Sequence, residues 1–177
     1  NGALATMTSE DNITWAGIFT PTANTEDASN TLSLAASYTD TAGNAGPAAT
    51  ANYEVDTLLP TLAETTVVPS LTNDNATQYT FSSTKGGTIA VGGNCSSSSD
   101  NNTAVADNMT VSFAALADGT YSDCTITVTD SAGNTQIIEV NTFTIDTIAP
   151  TLAEVTVVPT PTNDNTSSYT FNSNEAG

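Results

Sequence analysis

No histidine and no arginine occur anywhere in the 177 residues, and lysine occurs once, at Lys85. Nineteen acids face that single base, for a formal net charge of −18. Phosphate backbones are held by Lys and Arg, so nucleic acid is excluded as a partner. Anionic membrane surfaces are disfavoured for the same reason. Without histidine, a nucleophilic Ser or Cys has no neighbouring base. Paired carboxylates can work on sugars, but these acids sit at turns and junctions, so the chain is expected not to be an enzyme. No apolar run approaches the roughly 20 residues that span a bilayer, and no leader sequence is recognised at the start. Direct membrane insertion of this segment is therefore not expected. Cysteine occurs twice, at Cys95 and Cys124, without a CxxC or His-bearing pattern. Zinc is thereby disfavoured; a disulfide is the simplest use and would place the chain outside the reducing cytosol.

What is present is Thr, Ser, Asn and Ala, with hydrophobic residues at 38% and aromatics at 6%. The high net charge would suit a disordered chain, but short runs of Thr, Val, Ile, Tyr and Phe alternate as pleated, half-buried strands do. A repeat organises them. DTLLPTLAETTVVP at 56–69 returns ninety residues later as DTIAPTLAEVTVVP at 146–159. LTNDNATQYTFSS at 71–83 is answered by PTNDNTSSYTFNS at 161–173, and YTDTAGN at 38–44 by VTDSAGN at 128–134. This period is too long for a solenoid and right for small tandem domains. It divides the chain into the back part of one unit at 1–56, a whole unit at 57–146, and the front part of another at 147–177. Both outer pieces are cut inside a unit, which leads us to expect a longer chain.

Within the whole unit, strands are expected at 62–68, 79–81, 88–91, 109–116, 121–129 and 136–145, with a short one near 103–106. The last changes phase by one residue between Val140 and Phe143. About seven short strands separated by turn signals predict an all-β fold, a sandwich in each unit. No stretch carries helical periodicity.

The DT(I/L)xPT junction, the TDxAGN hairpin and the ADGTYSDCTITVTD run at 117–130 resemble the bacterial Ig-like tandem repeats of large surface adhesins. The resemblance covers nearly the whole chain. It implies tandem immunoglobulin-like β-sandwiches, secretion to the cell surface or beyond, a long multidomain protein, and often Ca²⁺ at the junctions between domains.

On that architecture the third and sixth strands of the unit are antiparallel neighbours. Ile89, Val91, Gly93 and Cys95 share one parity, and Cys124, Ile126 and Val128 another, so Cys95 and Cys124 are expected to pair within the central unit; intermolecular pairing is the alternative. The same architecture gathers Asp74, Asp118 and Asp146 at one pole. At the other it brings Asp130 and Asn134 towards Asp56. Clustered hard oxygens suit Ca²⁺, whereas Asp and Asn also cap turns on their own. Tyr121 in Asp118-Gly119-Thr120-Tyr121 partly matches a tyrosine corner. Trp15, the sole tryptophan, is expected in a core rather than in a sugar platform.

Three functions fit. The first is a rod- or fibre-forming stalk segment of an extracellular adhesin, with neighbouring Ig-like domains as its partners. The second is a polymerising subunit of an extracellular filament, in which 147–177 of one copy completes 1–56 of the next. The third is a glycan- or receptor-binding module, which would need exposed aromatics on loops.

Overall fold

The structure, a computed structural model, describes residues 2–36, 38–98 and 103–176. Among these residues there are sixteen strands and no helix. The first piece contributes Gly2–Leu4 (β1), Phe19–Pro21 (β2), Glu26–Leu34 (β3) and Ala49–Asp56 (β4). β1 pairs with β2, and β3 pairs with β4, each antiparallel.

The central unit follows with Leu62–Thr66 (β5), Leu71–Thr72 (β6), Gln78–Ser83 (β7), Gly87–Gly92 (β8) and Thr103–Ala104 (β9). It continues with Asn108–Ser112 (β10), Gly119–Tyr121 (β11), Thr125–Asp130 (β12), Thr135–Glu139 (β13) and Phe143–Ile145 (β14). One face is the sheet β10-β7-β5 and the other β13-β12-β8-β9, with β11-β14-β6 as a third, smaller sheet. The last piece is Leu152–Thr156 (β15) paired with Thr170–Ser173 (β16).

Alternation decides what is buried. In β7 Tyr79, Phe81 and Ser83 point inward, and in β12 Ile126, Val128 and Asp130 do. Period-2 side chains from two facing sheets make one core. Phe113 stacks on Phe143 with ring centroids 6.1 Å apart, and Tyr121 on Phe143 at 5.3 Å.

Two expected strands are each divided. Residues 121–129 become β11 and β12, and residues 136–145 become β13 and β14, because the chain passes from one sheet to another. The phase change after Val140 is that passage. Asn141 fixes it: its Oδ1 accepts from Val68 N at 3.0 Å and its Nδ2 donates to Val68 O at 2.7 Å. The same clamp holds the chain between β5 and β6, where Pro69 ends the first run. Satisfying both backbone groups of buried Val68 lets the chain leave the sheet of β5 and pair, as β6, in parallel with β14.

The disulfide joins Cys95 and Cys124, with Cα atoms 5.4 Å apart, inside the usual range. β8 and β12 run antiparallel with Gly92 opposite Thr125, so the two cysteines lie just beyond the paired ends. Gly93, at φ +73°, makes the turn; a Cβ there would come within 2.0 Å of Asp123 O.

Trp15 is not in a core. It is 55% exposed and lines an open hollow with Met7, Ile13, Leu34 and Tyr38. Among the described residues of the first piece, no strand pair equivalent to β5 and β7 covers that face.

Candidate functional site: the junction around Lys85

TDxAGN is a self-contained loop. In the central copy Asp130 Oδ1 accepts from Ala132 N at 3.0 Å and Asn134 N at 2.8 Å, and Asp130 Oδ2 accepts from Asn134 Nδ2 at 3.0 Å. In the first copy Asp40 Oδ1 accepts from Ala42 N at 2.9 Å and Asn44 N at 2.8 Å, and Asp40 Oδ2 accepts from Asn44 Nδ2 at 2.9 Å. Glycine is required in both copies, since Gly43 and Gly133 sit at φ +89° and +91°. The Asp side chain thus substitutes for turn hydrogen bonds that the backbone alone would leave open.

The two loops differ in what stands beside them. Around Asp130 the linker comes back: Asn134 Nδ2 donates to Asp56 O at 3.1 Å and shares with Asp56 Oδ1 at 3.3 Å. Into this group reaches Lys85 from the β7–β8 turn. Its Nζ lies 2.6 Å from Asp56 Oδ1, 3.2 Å from Asp130 Oδ2 and 3.2 Å from Glu26 Oε2. The three donors of an ammonium therefore meet three carboxylates. Gly87 permits the approach: it pairs with Asp130, and a Cβ there would stand 2.0 Å from Thr129 O.

The side chains of Lys85 and Asp130 are 11% and 2% exposed. Burial alone would raise the Asp130 pKa, but the Asn134 side chain and amide, the Lys85 ammonium and the Ala132 amide bring it down to about 2. Burial alone would lower Lys85, yet hydrogen bonds to Asp56, Asp130 and Glu26 hold it above the ordinary lysine value. Both groups are charged across the whole physiological range. Glu26 and Asp56 belong to β3 and β4, and Lys85, Asp130 and Asn134 to the central unit, so the cluster ties two consecutive units together.

The structure brings Asp56, Asp130 and Asn134 into one hydrogen-bonded group and adds Lys85 and Glu26, which sequence reasoning missed. The signal was there: one base stands among nineteen acids, immediately before a glycine pair that allows close packing. Ca²⁺ takes 6–8 oxygen ligands, and the residues do not fit that demand here. Asp56 Oδ1 is taken by Leu58 N at 3.1 Å, Lys85 and Asn134. Both Asp130 oxygens are taken by N–H donors. The Asn134 amide presents nitrogen, not oxygen, to the carboxylates.

At the opposite pole Asp74, Asp118 and Asp146 also serve the backbone. Asp74 Oδ1 accepts from Ala76 N at 2.9 Å, and Asp146 Oδ1 from Ile148 N at 3.1 Å. Asp118 Oδ1 accepts from Thr147 N at 3.1 Å and from its hydroxyl at 2.8 Å. The β6 and β14 ends meet here, with Asp146 N donating to Thr72 O at 3.0 Å. Among the described residues no group of three or more His, Cys, Asp or Glu side chains is arranged to hold a metal ion. Tyr121 Oη donates to Ala117 O at 2.9 Å, the tie of a tyrosine corner.

Residues 1–57 match one family model and residues 64–147 match a second, and both are described as bacterial Ig-like domain. No curated protein matches the chain at a significant level.

Proposed function

Because the chain belongs to the bacterial Ig-like domains, which are structural or surface-associated modules, we propose that it is a non-catalytic, rod-forming segment of a long extracellular bacterial surface protein. It serves as a stalk that holds other domains at a distance. The observation that carries this reading is the junction itself. Asp56 is both the last residue of β4 and a partner of Lys85, Asn134 and Leu58 N. Five residues then separate it from β5, including Pro60 with its fixed φ. A junction this short, pinned by charged groups from both sides, resists bending and passes tension from one unit to the next. Its partners in this role are neighbouring Ig-like domains.

Small-angle scattering of the 177-residue chain tests the reading. The expected profile is a particle about one domain thick whose longest dimension exceeds that of a single sandwich. A compact profile, with units folded back on each other, would overturn it.

A second reading, polymerisation of copies into a filament by strand complementation, is favoured by one observation. Tyr169, Phe171, Leu152 and Val155 in the last piece, and Ile13, Trp15 and Ile18 in the first, are exposed. Apolar faces of this kind invite pairing with strands from another chain. Linear growth of the particle with protein concentration supports that reading, and a constant mass overturns it.

A further inference from the structure

We propose that Lys85 is a built-in cation for the junction between residues 1–57 and 64–147: its ammonium is the one positive charge that Glu26, Asp56 and Asp130 share, so the junction closes without metal.

Three carboxylates from two units converge within 3.2 Å of one point. Like charges so placed repel unless a cation lies between them. That cation is already supplied by the chain, from a side chain that is almost fully buried and has all three N–H groups engaged. The surroundings are built for an ammonium. Asp56 Oδ1 and Asp130 Oδ2 each accept from both Lys85 Nζ and Asn134 Nδ2. A metal would need the Asn134 amide turned over, to offer oxygen in place of nitrogen.

The device is private to this junction. Ninety residues on, Asp146 stands where Asp56 does, but Glu175 stands where Lys85 does. The local framework is otherwise kept: Ser83 Oγ accepts from Lys85 N at 3.2 Å, and Ser173 Oγ accepts from Glu175 N at 3.2 Å. One position thus carries opposite charges on the same turn. Lys85 is accordingly a feature of one boundary rather than of the repeat.

The proposal deepens the stalk reading, resting on it only for the purpose of the lock; shape and metal response are separate readouts, so either can fail alone. Amide hydrogen exchange over residues 52–58 and 128–136 is measured on the full 177-residue chain, in EDTA and in millimolar CaCl₂. The wild type is expected to show the same protection in both, within about twofold, because the ion has no place to enter. In EDTA, Lys85→Ala is expected to lose about tenfold or more, since three carboxylates then face one another uncompensated. CaCl₂ is expected to restore most of that loss, with Asn134 turned to offer its oxygen. Lys85→Met, which fills the space without charge, is expected to lose protection and not regain it. The proposal is overturned by any of three results: wild-type protection that rises about tenfold on adding CaCl₂, a Lys85→Ala chain as protected as wild type in EDTA, or a Lys85→Ala chain indifferent to CaCl₂. Should Lys85→Ala fail to fold, the wild-type comparison and Lys85→Met still decide.

Discussion

The hairpin formed by β5 and β7 and that formed by β15 and β16 are the same object in two surroundings. Leu62 faces Ser83 and Leu152 faces Ser173; Glu64 faces Phe81 and Glu154 faces Phe171. Both ladders slip at the same place, between Glu64 and Thr66 and between Glu154 and Thr156. Asp74 and Asp164 cap the same turn, each accepting from the amide two residues on at 2.9 Å. Burial, by contrast, is opposite. Tyr79 and Phe81 are 0% exposed, whereas Tyr169 and Phe171 are 56% and 54% exposed. Register, bulge and cap therefore belong to the local sequence, through pleat parity and turn chemistry. The core belongs to the second sheet, which only the central copy faces in this structure.

The sharpest way to break this comparison is to make the same deletion in both copies. Phe81→Ala opens a cavity in a closed core and is expected to cost about 3–5 kcal/mol. Phe171→Ala removes a side chain already in water and is expected to cost less than about 0.5 kcal/mol in the same chain. Urea unfolding followed by the lone Trp15 and by far-UV circular dichroism reads both. Equal costs would mean that the last piece finds a covering layer in solution.

Next in size is the disulfide, present only in the central copy. Its loop is worth about 3–4 kcal/mol in the chain-entropy picture. Reduction is expected to lower the melting temperature of the central unit and to leave the outer pieces unchanged. Alkylation without reduction, followed by intact mass, is expected to show no modified thiol. Two modified thiols would remove the bond.

The two TDxAGN loops sharpen the comparison further. Asp130 bonds Lys85 and Asn134, with Asp56 and Glu26 on the same ammonium, whereas among the described residues Asp40 bonds only within its own loop. The Asp130 carboxyl titrates at about 2 in the folded chain, against an ordinary value of 3.8. A lowered folded value means that stability is fully present above pH 4 and is lost as pH falls through the window from about 4 to about 2. The loss is expected to be on the order of 1–2 kcal/mol in the central unit. Lys85 gives the mirror limb. Its folded value is raised above the ordinary 10.5, so its contribution is intact below that pH and lost as pH rises beyond it. Asp130→Asn should flatten the acid limb; Asp40→Asn should leave that of the central unit as it was. Thermal melts from pH 2 to 6 check both variants.

These contrasts also show what was legible in the sequence. Repeat, strands, hairpin loops and cysteine pairing follow from parity and turn residues, which act over a few positions. The division of 136–145 was visible only as a phase slip at Val140, because its cause, the Asn141 clamp on Val68, spans 73 residues; the division of 121–129 left no such mark. Asp56, Asp130 and Asn134 could be assembled from topology. Lys85 could not, because a long flexible side chain says little about where its charge will rest, and the nearby carboxylates read equally well as metal ligands. Trp15 was misplaced for a related reason. Alternation tells which face a residue takes, not whether a second layer covers that face.

The smallest expected effect tests a single hydroxyl. Tyr121 is half-buried against Phe143, with ring centroids 5.3 Å apart, and its hydroxyl donates to Ala117 O at 2.9 Å. Tyr121→Phe keeps the ring and its stacking and removes only that bond. The Ala117 carbonyl is close enough to solvent to find water, so the loss should approach the net worth of one neutral hydrogen bond, about 0.5–1.5 kcal/mol. The turn it spans, Asp118-Gly119-Thr120, carries the Asp118 carboxylate that accepts from both Thr147 N and its hydroxyl. Loosening the turn should therefore raise amide exchange at Thr147, in the next junction, as well as at Gly119. Tyr121→Leu, which loses ring and hydroxyl together, should cost more than Tyr121→Phe by the stacking and area terms. If Tyr121→Phe leaves both the melting temperature and the Thr147 amide unchanged, the tyrosine is only a core ring, and the link from this corner to the following junction does not exist.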